Sequence, residues 1–285
     1  MAAAVAGLVS AGGADAATHA AAARTPSLQA TIDNGQLQLT GNRTLPAGRL
    51  HLSLTSVGQE STLQLGRLHK GYTWKDFRAD IRAFGKSFGP NGPSKSGLRH
   101  LNHAIDSTDQ LGGLDAEAGG STSGTFLLHR AGRYVVFNDS GNLPKQPQWL
   151  TVTAPAGPQH LPVTSVTVTA RTDRRFGGAS VLPAHGTITF RNKSTESPHF
   201  LGLLHVKEGT TRKQVIQAFS TQSPTQPDFI LPGSGGTDIV GKGRAQTFHY
   251  RLPVGEYAEF CFFPDPKTGM PHALMGMVRI VHLEV

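Results

Sequence analysis

The chain has 285 residues, of which 38% are hydrophobic, and it contains 34 glycines and 18 prolines. This length suits two domains of ordinary size, and the many turn-forming residues favour short strands over helical bundles. The formal charge is +8, but no run of lysine and arginine alternates with aromatic residues, so no nucleic-acid partner is indicated. The basic surface is compatible with an acidic partner or an anionic cell-envelope component.

Residues 1–25 are predicted to be an export signal or a disordered tail. They form an apolar stretch of small residues with an Ala-x-Ala match at 14–16, although no cation precedes Arg24. Asp15 interrupts the stretch, which is shorter than the ~20 apolar residues of a spanning helix. We therefore expect a secreted or extracytoplasmic protein, located at the cell envelope and without a transmembrane segment.

Three sequence segments of the first half recur in the second half, in the same order. This predicts a duplicated domain at residues 26–153 and 162–285, with the Pro-rich stretch 154–161 as the linker. The matched segments are LPAGRLHLSL (45–54) with LPAHGTITF (182–190), LGRLHKGYTWKDFRADIRAF (65–84) with LGLLHVKEGTTRKQVIQAF (201–219), and GRYVVFN (132–138) with GEYAEFC (255–261).

Strand patterns dominate each copy, as β-branched and aromatic runs bounded by turn residues. One helix is predicted in each copy, in YTWKDFRADIRAF and in TTRKQVIQAF. The predicted fold class is all-β, with two tandem Greek-key β-sandwich domains that each carry a short helical insertion.

The single cysteine stands in a segment that is rich in potential metal ligands. Cys261 follows a predicted strand, His272 and Met277 come after it, and His199 follows a proline at the start of an apolar strand. Two imidazoles, one thiolate and a weak axial methionine form the ligand set that selects copper in electron-transfer sites. Met275 is an alternative axial ligand with a less suitable spacing from His272.

In this order and strand context the sequence resembles the cupredoxins, the plastocyanin-like blue copper proteins. The matching positions are Asn192, His199, Cys261, His272 and Met277. The resemblance covers residues 162–285, and it reaches the first copy only through the repeat. It implies one type 1-like copper ion in the second domain, and a role in electron transfer with a redox partner protein or in copper handling.

The loop between Cys261 and His272 departs from the family pattern, because ten residues intervene instead of a few. Closing the longer loop costs only ~1 kcal/mol of chain entropy, whereas tight metal binding returns ~10 kcal/mol or more. Pro264, Pro266 and Pro271 stiffen the insertion, and its sequence predicts a turn that projects away from the site.

The first copy is predicted to be a degenerate domain without copper ligands, acting as a structural partner or docking surface. Leu63 stands at the position of His199, Asn138 at that of Cys261, and Gln148 near that of His272. The pair His100 and His103 is expected in a surface loop, without a carboxylate nearby.

No His-x-His motif occurs in the chain, so the extra imidazole pairs of copper oxidases are missing and the sequence predicts a protein that is not an enzyme. Two alternatives remain open. One is a β-sandwich module of the cell surface in which these side chains only pack. The other is a copper enzyme that uses an open coordination position beside the long loop.

Overall fold

A computed structural model describes residues 25–89, 92–141, 143–221 and 226–285. The interpretation of residues 1–25 as an export signal or tail therefore falls almost entirely outside the described residues. The strands are β1 Ser27–Asp33, β2 Gln36–Thr40, β3 Thr44–Val57, β4 Ser61–Leu68, β5 Phe88–Gly89, β6 Gly92–Pro93, β7 Thr108–Ala116, β8 Ser121–Leu128, β9 Gly132–Asn138, β10 Gln148–Pro155, β11 Val166–Ala170, β12 Phe176–Gly177, β13 Val181–Pro183, β14 His185–Asn192, β15 Gly202–Val206, β16 Gly235–Val240, β17 Ala245–Arg251, β18 Gly255–Phe260 and β19 Val278–Glu284. The helices are α1 Trp74–Gly85, α2 Lys95–Asp106 and α3 Arg212–Thr221.

Two β-sheets pack face to face, and β3 takes part in both. One sheet has the strand order β2-β1-β3-β8-β17-β14-β11-β12. The other has the order β3-β10-β9-β4-β7-β16-β15-β18-β19-β13. Gly48, at φ 135°, stands where β3 passes from one sheet to the other. A left-handed backbone at such a bend is available to glycine without a steric penalty. The all-β sandwich predicted from the sequence is confirmed.

The pairing pattern of the first half recurs in the second half. β1 lies parallel to β3 as β11 lies parallel to β14, and β4 pairs with β9 as β15 pairs with β18. The final strand of each half pairs in parallel with an earlier strand of the same half, β10 with β3 and β19 with β13. The halves meet through two antiparallel pairs, β7 with β16 and β8 with β17, so each sheet runs without a break through both halves.

The core between the sheets follows from alternation along the strands. In β3 the buried residues Leu50, Leu52 and Leu54 alternate with more exposed ones, as a strand with one face toward the core requires. The same cluster continues through Phe190 and Phe248 of the second half. One apolar core therefore joins both halves.

The two predicted helices are present, and α2 is an additional helix. Thr73 caps α1 in a capping box with Asp76, and Ser94 caps α2 by accepting a hydrogen bond from the Gly97 amide. The expectation that His100 and His103 stand in a surface loop is wrong, because both lie on α2. The absence of a carboxylate is wrong too, since Nδ1 of each ring lies 2.7 Å from an oxygen of Asp80.

In the part of the chain that the structure describes, every helix is too short or too polar to span a bilayer.

Candidate metal centre

A buried turn delivers the first predicted ligand, His199. Asn192, at the end of β14, donates through Nδ2 to the carbonyls of Ser197 (3.0 Å) and Val240 (2.9 Å), and its Oδ1 accepts from the Ser194 amide. His199 then exchanges two backbone hydrogen bonds with Val240 in an isolated bridge, just before β15. The histidine backbone is thereby fixed to the neighbouring strand, and its side chain is 1% exposed.

Cys261 directly follows β18, and its sulfur lies between two imidazoles. Sγ is 3.7 Å from Nδ1 of His199 and 3.8 Å from Nδ1 of His272. The centroids of the two rings are 4.6 Å apart, and their planes are tilted by 47°. The structure thus brings together three of the four residues that the sequence predicts as ligands, all of them buried.

The long insertion returns the chain to the site as a closed loop. Pro264 and Pro271 pair in an antiparallel bridge, and the Asp265 amide donates to the Met270 carbonyl at 2.9 Å. Beyond the loop, His272 donates its backbone N–H to Phe263, and Ala273 donates to Cys261. The ten intervening residues therefore leave His272 beside the cysteine. The loop also reaches the first half, since Nδ2 of Asn102 donates to the Pro266 carbonyl.

The fourth predicted ligand, Met277, is fully buried and close to His272 along the backbone. Its amide donates to the His272 carbonyl at 2.9 Å. The alternative, Met275, is partly exposed and belongs to the turn between them. Burial and backbone position favour Met277 over Met275.

Burial sets the electrostatics of the three donors. It lowers the pKa of His199 to about 3 and that of His272 to about 4, so both imidazoles are neutral at pH 7. Burial also raises the pKa of the Cys261 thiol to about 12, although the backbone amides of Phe200 and Phe263 face the sulfur and favour its thiolate. The site therefore offers two free nitrogen lone pairs and a sulfur that ionises only with a strong local cation.

These residues fit a soft metal ion. Bonds of ~2.0–2.3 Å to nitrogen and sulfur place the donors of a trigonal site roughly 3.5–4 Å apart, close to the distances found here. Two imidazoles and a thiolate are the donors that copper takes in electron-transfer sites. Nδ1 is the atom of each ring that faces the sulfur. Nε2 of each histidine is buried without a hydrogen-bond partner among the described residues.

Two residues near the site were not singled out by sequence reasoning. Oδ2 of Asp265 lies 4.0 Å from Nε2 of His272, and Arg174 donates to this oxygen through Nε (3.2 Å) and Nη2 (2.5 Å). Oδ1 accepts from Lys267 and Thr268. The motif Asp-Pro-Lys-Thr-Gly signals such a side-chain-capped turn, but Arg174 is too distant in sequence to be linked to it.

The corresponding positions of the first half have other contacts. Leu63 is part of the apolar core, and its strand partner Asn138 donates through Nδ2 to the Gly35 carbonyl. In the second half, His205 stacks on Tyr257 and lies with Nδ1 2.7 Å from the Pro232 carbonyl, away from the three donors. These side chains therefore have structural contacts of their own.

Comparisons with known proteins give likenesses in structure only. No protein-family model matches the chain, and no curated protein matches it in sequence. Auracyanin A, a "blue" copper protein from Chloroflexus aurantiacus, is 18% identical over 45% of this chain and 98% of its own, with a TM-score of 0.31. A multi-copper oxidase from Pseudomonas thermotolerans is 13% identical over 91% of this chain and 67% of its own, with a TM-score of 0.24. A Cu-containing nitrite reductase from Thermus scotoductus aligns with 92% of this chain and 61% of its own, at 13% identity and a TM-score of 0.22.

The expectation that the protein is not an enzyme is contradicted. The structures that align with about nine tenths of the chain are copper enzymes by their titles. At these identities and TM-scores the likenesses are limited to the fold, and they assign no reaction to this chain.

Proposed function

We propose that the chain is a cupredoxin-like copper protein whose second half holds one type 1-like ion through His199, Cys261, His272 and Met277. The convergence of a thiol and two neutral imidazoles at 3.7 and 3.8 Å carries this proposal. Its role is electron transfer to a redox partner protein, or copper handling, at the cell envelope.

The duplication belongs to the same proposal. Residues 26–153 and 162–285 are two cupredoxin-like copies joined by the linker 154–161, and the recurring strand pairings support this division. The first copy acts as a structural partner, since its equivalent positions hold Leu63 and Asn138 in packing and backbone contacts. The export of the protein rests on the sequence of residues 1–25 alone.

The protein supplies a dry and fixed set of donors. Bound copper provides a one-electron couple, with the Cys261 thiolate as the most strongly coupled ligand. The amides of Phe200 and Phe263 stabilise that thiolate, and burial excludes water from the sulfur. The Asn192 turn holds one imidazole and the Pro264–Pro271 bridge holds the other, so little rearrangement is needed when the charge of the site changes.

Copper titration of the purified protein tests the proposal. We expect one copper per chain by metal analysis and an intense visible absorption from thiolate-to-copper charge transfer. Cys261→Ser and His199→Ala should abolish this absorption. His205→Ala is the matched control, because His205 lies in the following strand, where its ring contacts Pro232 and Tyr257 and not the three donors. Colourless protein without bound copper, or a band that survives in Cys261→Ser, would overturn the proposal.

A further inference from the structure

A partly open apolar cavity of about 320 Å³ lies between α1, α2, the strands β4 and β9, and the segments that carry two of the proposed copper ligands. This volume is near the lower end of the range of small-molecule sites, roughly 300–1,000 Å³. Aromatic rings form much of its wall, from Trp74, Phe77, Phe84, Phe137, Phe200 and Phe263. Phe200 follows His199 in sequence, and the Phe263 ring lies 6.1 Å from that of His272.

Two buried hydrogen-bond acceptors line this cavity without a partner among the described residues. They are Oδ2 of Asp238, a residue 6% exposed, and Oε1 of Gln64, a residue 3% exposed. Nε2 of Gln64 donates to the Ile239 carbonyl at 2.9 Å, which identifies the amide oxygen as the free atom. Because an unpaired buried polar atom costs about 1–3 kcal/mol, a ligand that donates hydrogen bonds to these two oxygens would be favoured in this cavity.

Two of the three carboxyl groups on the cavity wall, those of Asp139 and Asp238, also lack a cation among the described residues. Asp139 is a second carboxyl on its wall, and neither Asp139 nor Asp238 forms an ion pair with any described residue. Arg67, the basic residue of the wall, pairs with Asp109 at 3.6 Å. Burial raises the pKa of Asp139 to about 7 and raises that of Asp238 as well, with a further rise from the charge of Asp139. A bound cation would remove this penalty on ionisation.

We infer that this cavity is a binding site for a small organic cation with an aromatic body and a primary ammonium group, the arylalkylamine class. The ammonium would donate to Asp238 and Gln64, and the aromatic rings would surround the apolar body and contribute cation–π attraction. The inference goes beyond the proposed copper function and does not depend on it.

Calorimetric titration of the full chain without added metal tests the site. The probe is 2-phenylethylamine, and 2-phenylethanol is a neutral molecule of nearly the same shape. We expect one amine per chain, bound at least about tenfold more tightly than the alcohol, which corresponds to ~1.4 kcal/mol or more. Absence of saturable binding at ~10 mM amine, or equal affinity for the alcohol, overturns the inference.

Matched variants locate the binding. Asp238→Asn should weaken binding of the amine by about tenfold or more. Asp33→Asn makes the same chemical change at an exposed position outside the cavity, and it should leave the affinity unchanged. Ala104→Phe should abolish binding by filling the cavity, since Ala104 lies on its wall. Circular dichroism establishes that each variant is folded. An equal loss in Asp238→Asn and Asp33→Asn, or full affinity in Ala104→Phe, contradicts a site here.

Discussion

The carboxylate of Asp265 lies 4.0 Å from Nε2 of His272, and the same carboxylate is held by Arg174. Asp265 is 1% exposed and belongs to the insertion that separates His272 from Cys261. This group therefore orders the inserted loop and at the same time gives the buried imidazole an acidic neighbour on the side away from the sulfur.

Removal of the Asp265 carboxylate should destabilise the protein. Asp265→Ala leaves the Arg174 guanidinium and the amides of Lys267 and Thr268 without their acceptor. We expect a loss of about 2–4 kcal/mol in the free energy of unfolding by urea. Asp173→Ala is the control, because its pair with Arg171 is exposed, and it should cost less than ~0.5 kcal/mol. Equal losses in both variants would show that the loop does not depend on Asp265.

Replacement of Met277 should change the properties of bound copper with little effect on folding. Met277→Leu nearly conserves volume at a fully buried position, so we expect a stability change below ~1.5 kcal/mol. The visible spectrum and reduction potential of the copper form should shift, since an axial ligand tunes both. Met275→Leu is the matched control and should match the wild type. The reverse pattern would assign the axial position to Met275.

Removal of the Asn192 side chain should weaken copper binding from a distance. Asn192→Ala leaves the buried Ser197 carbonyl without a donor and removes one of the two donors to the Val240 carbonyl, which also accepts from the His199 amide. We expect a loss of about 1–3 kcal/mol in stability and a roughly tenfold lower copper affinity. Both are measured by urea titration and by competition with a copper chelator. Thr195→Ala, at an exposed position of the same turn, should leave both quantities unchanged.

Asp115 should make the stability of the protein depend on pH. Burial raises its pKa from 3.8 to about 7, so the folded protein keeps this proton at pH values where the unfolded chain has lost it. Its contribution to stability is therefore complete below about pH 4 and falls as the pH rises to about 7. Asp115→Asn removes this term. As the pH rises from 5 to 8, the free energy of unfolding of the variant should increase by at least ~1 kcal/mol relative to that of the wild type, measured by urea unfolding. If the difference in stability between the variant and the wild type is the same at pH 5 and at pH 8, burial does not raise the pKa of Asp115.

The sequence was sufficient to predict the sandwich, because alternating strands are local patterns. It also proposed His199 and Cys261 as ligands from a Pro-His turn and a strand end, and the structure places their side chains 3.7 Å apart. It was also sufficient for α1 and α3. It missed α2, although the Ser94 cap precedes apolar residues at helical spacing, since Gly97 lowers the helix propensity of the segment.

Other features could not be predicted because they depend on contacts between distant segments. Asp80 and the two histidines of α2 are about twenty residues apart. The Asp265–Arg174 pair spans 91 positions. The predicted outward turn after Cys261 returns to the site because Pro264 pairs with Pro271 and Asp265 caps the turn, which loop length alone does not reveal.

The pairings of β7 with β16 and of β8 with β17 have a consequence for how the protein can be made and divided. Cleavage of the polypeptide between the repeats would expose four edge strands, whose unpaired amide and carbonyl groups can pair with strands of other chains. We therefore expect each separated half to self-associate, and the two halves to fold and unfold together as one unit.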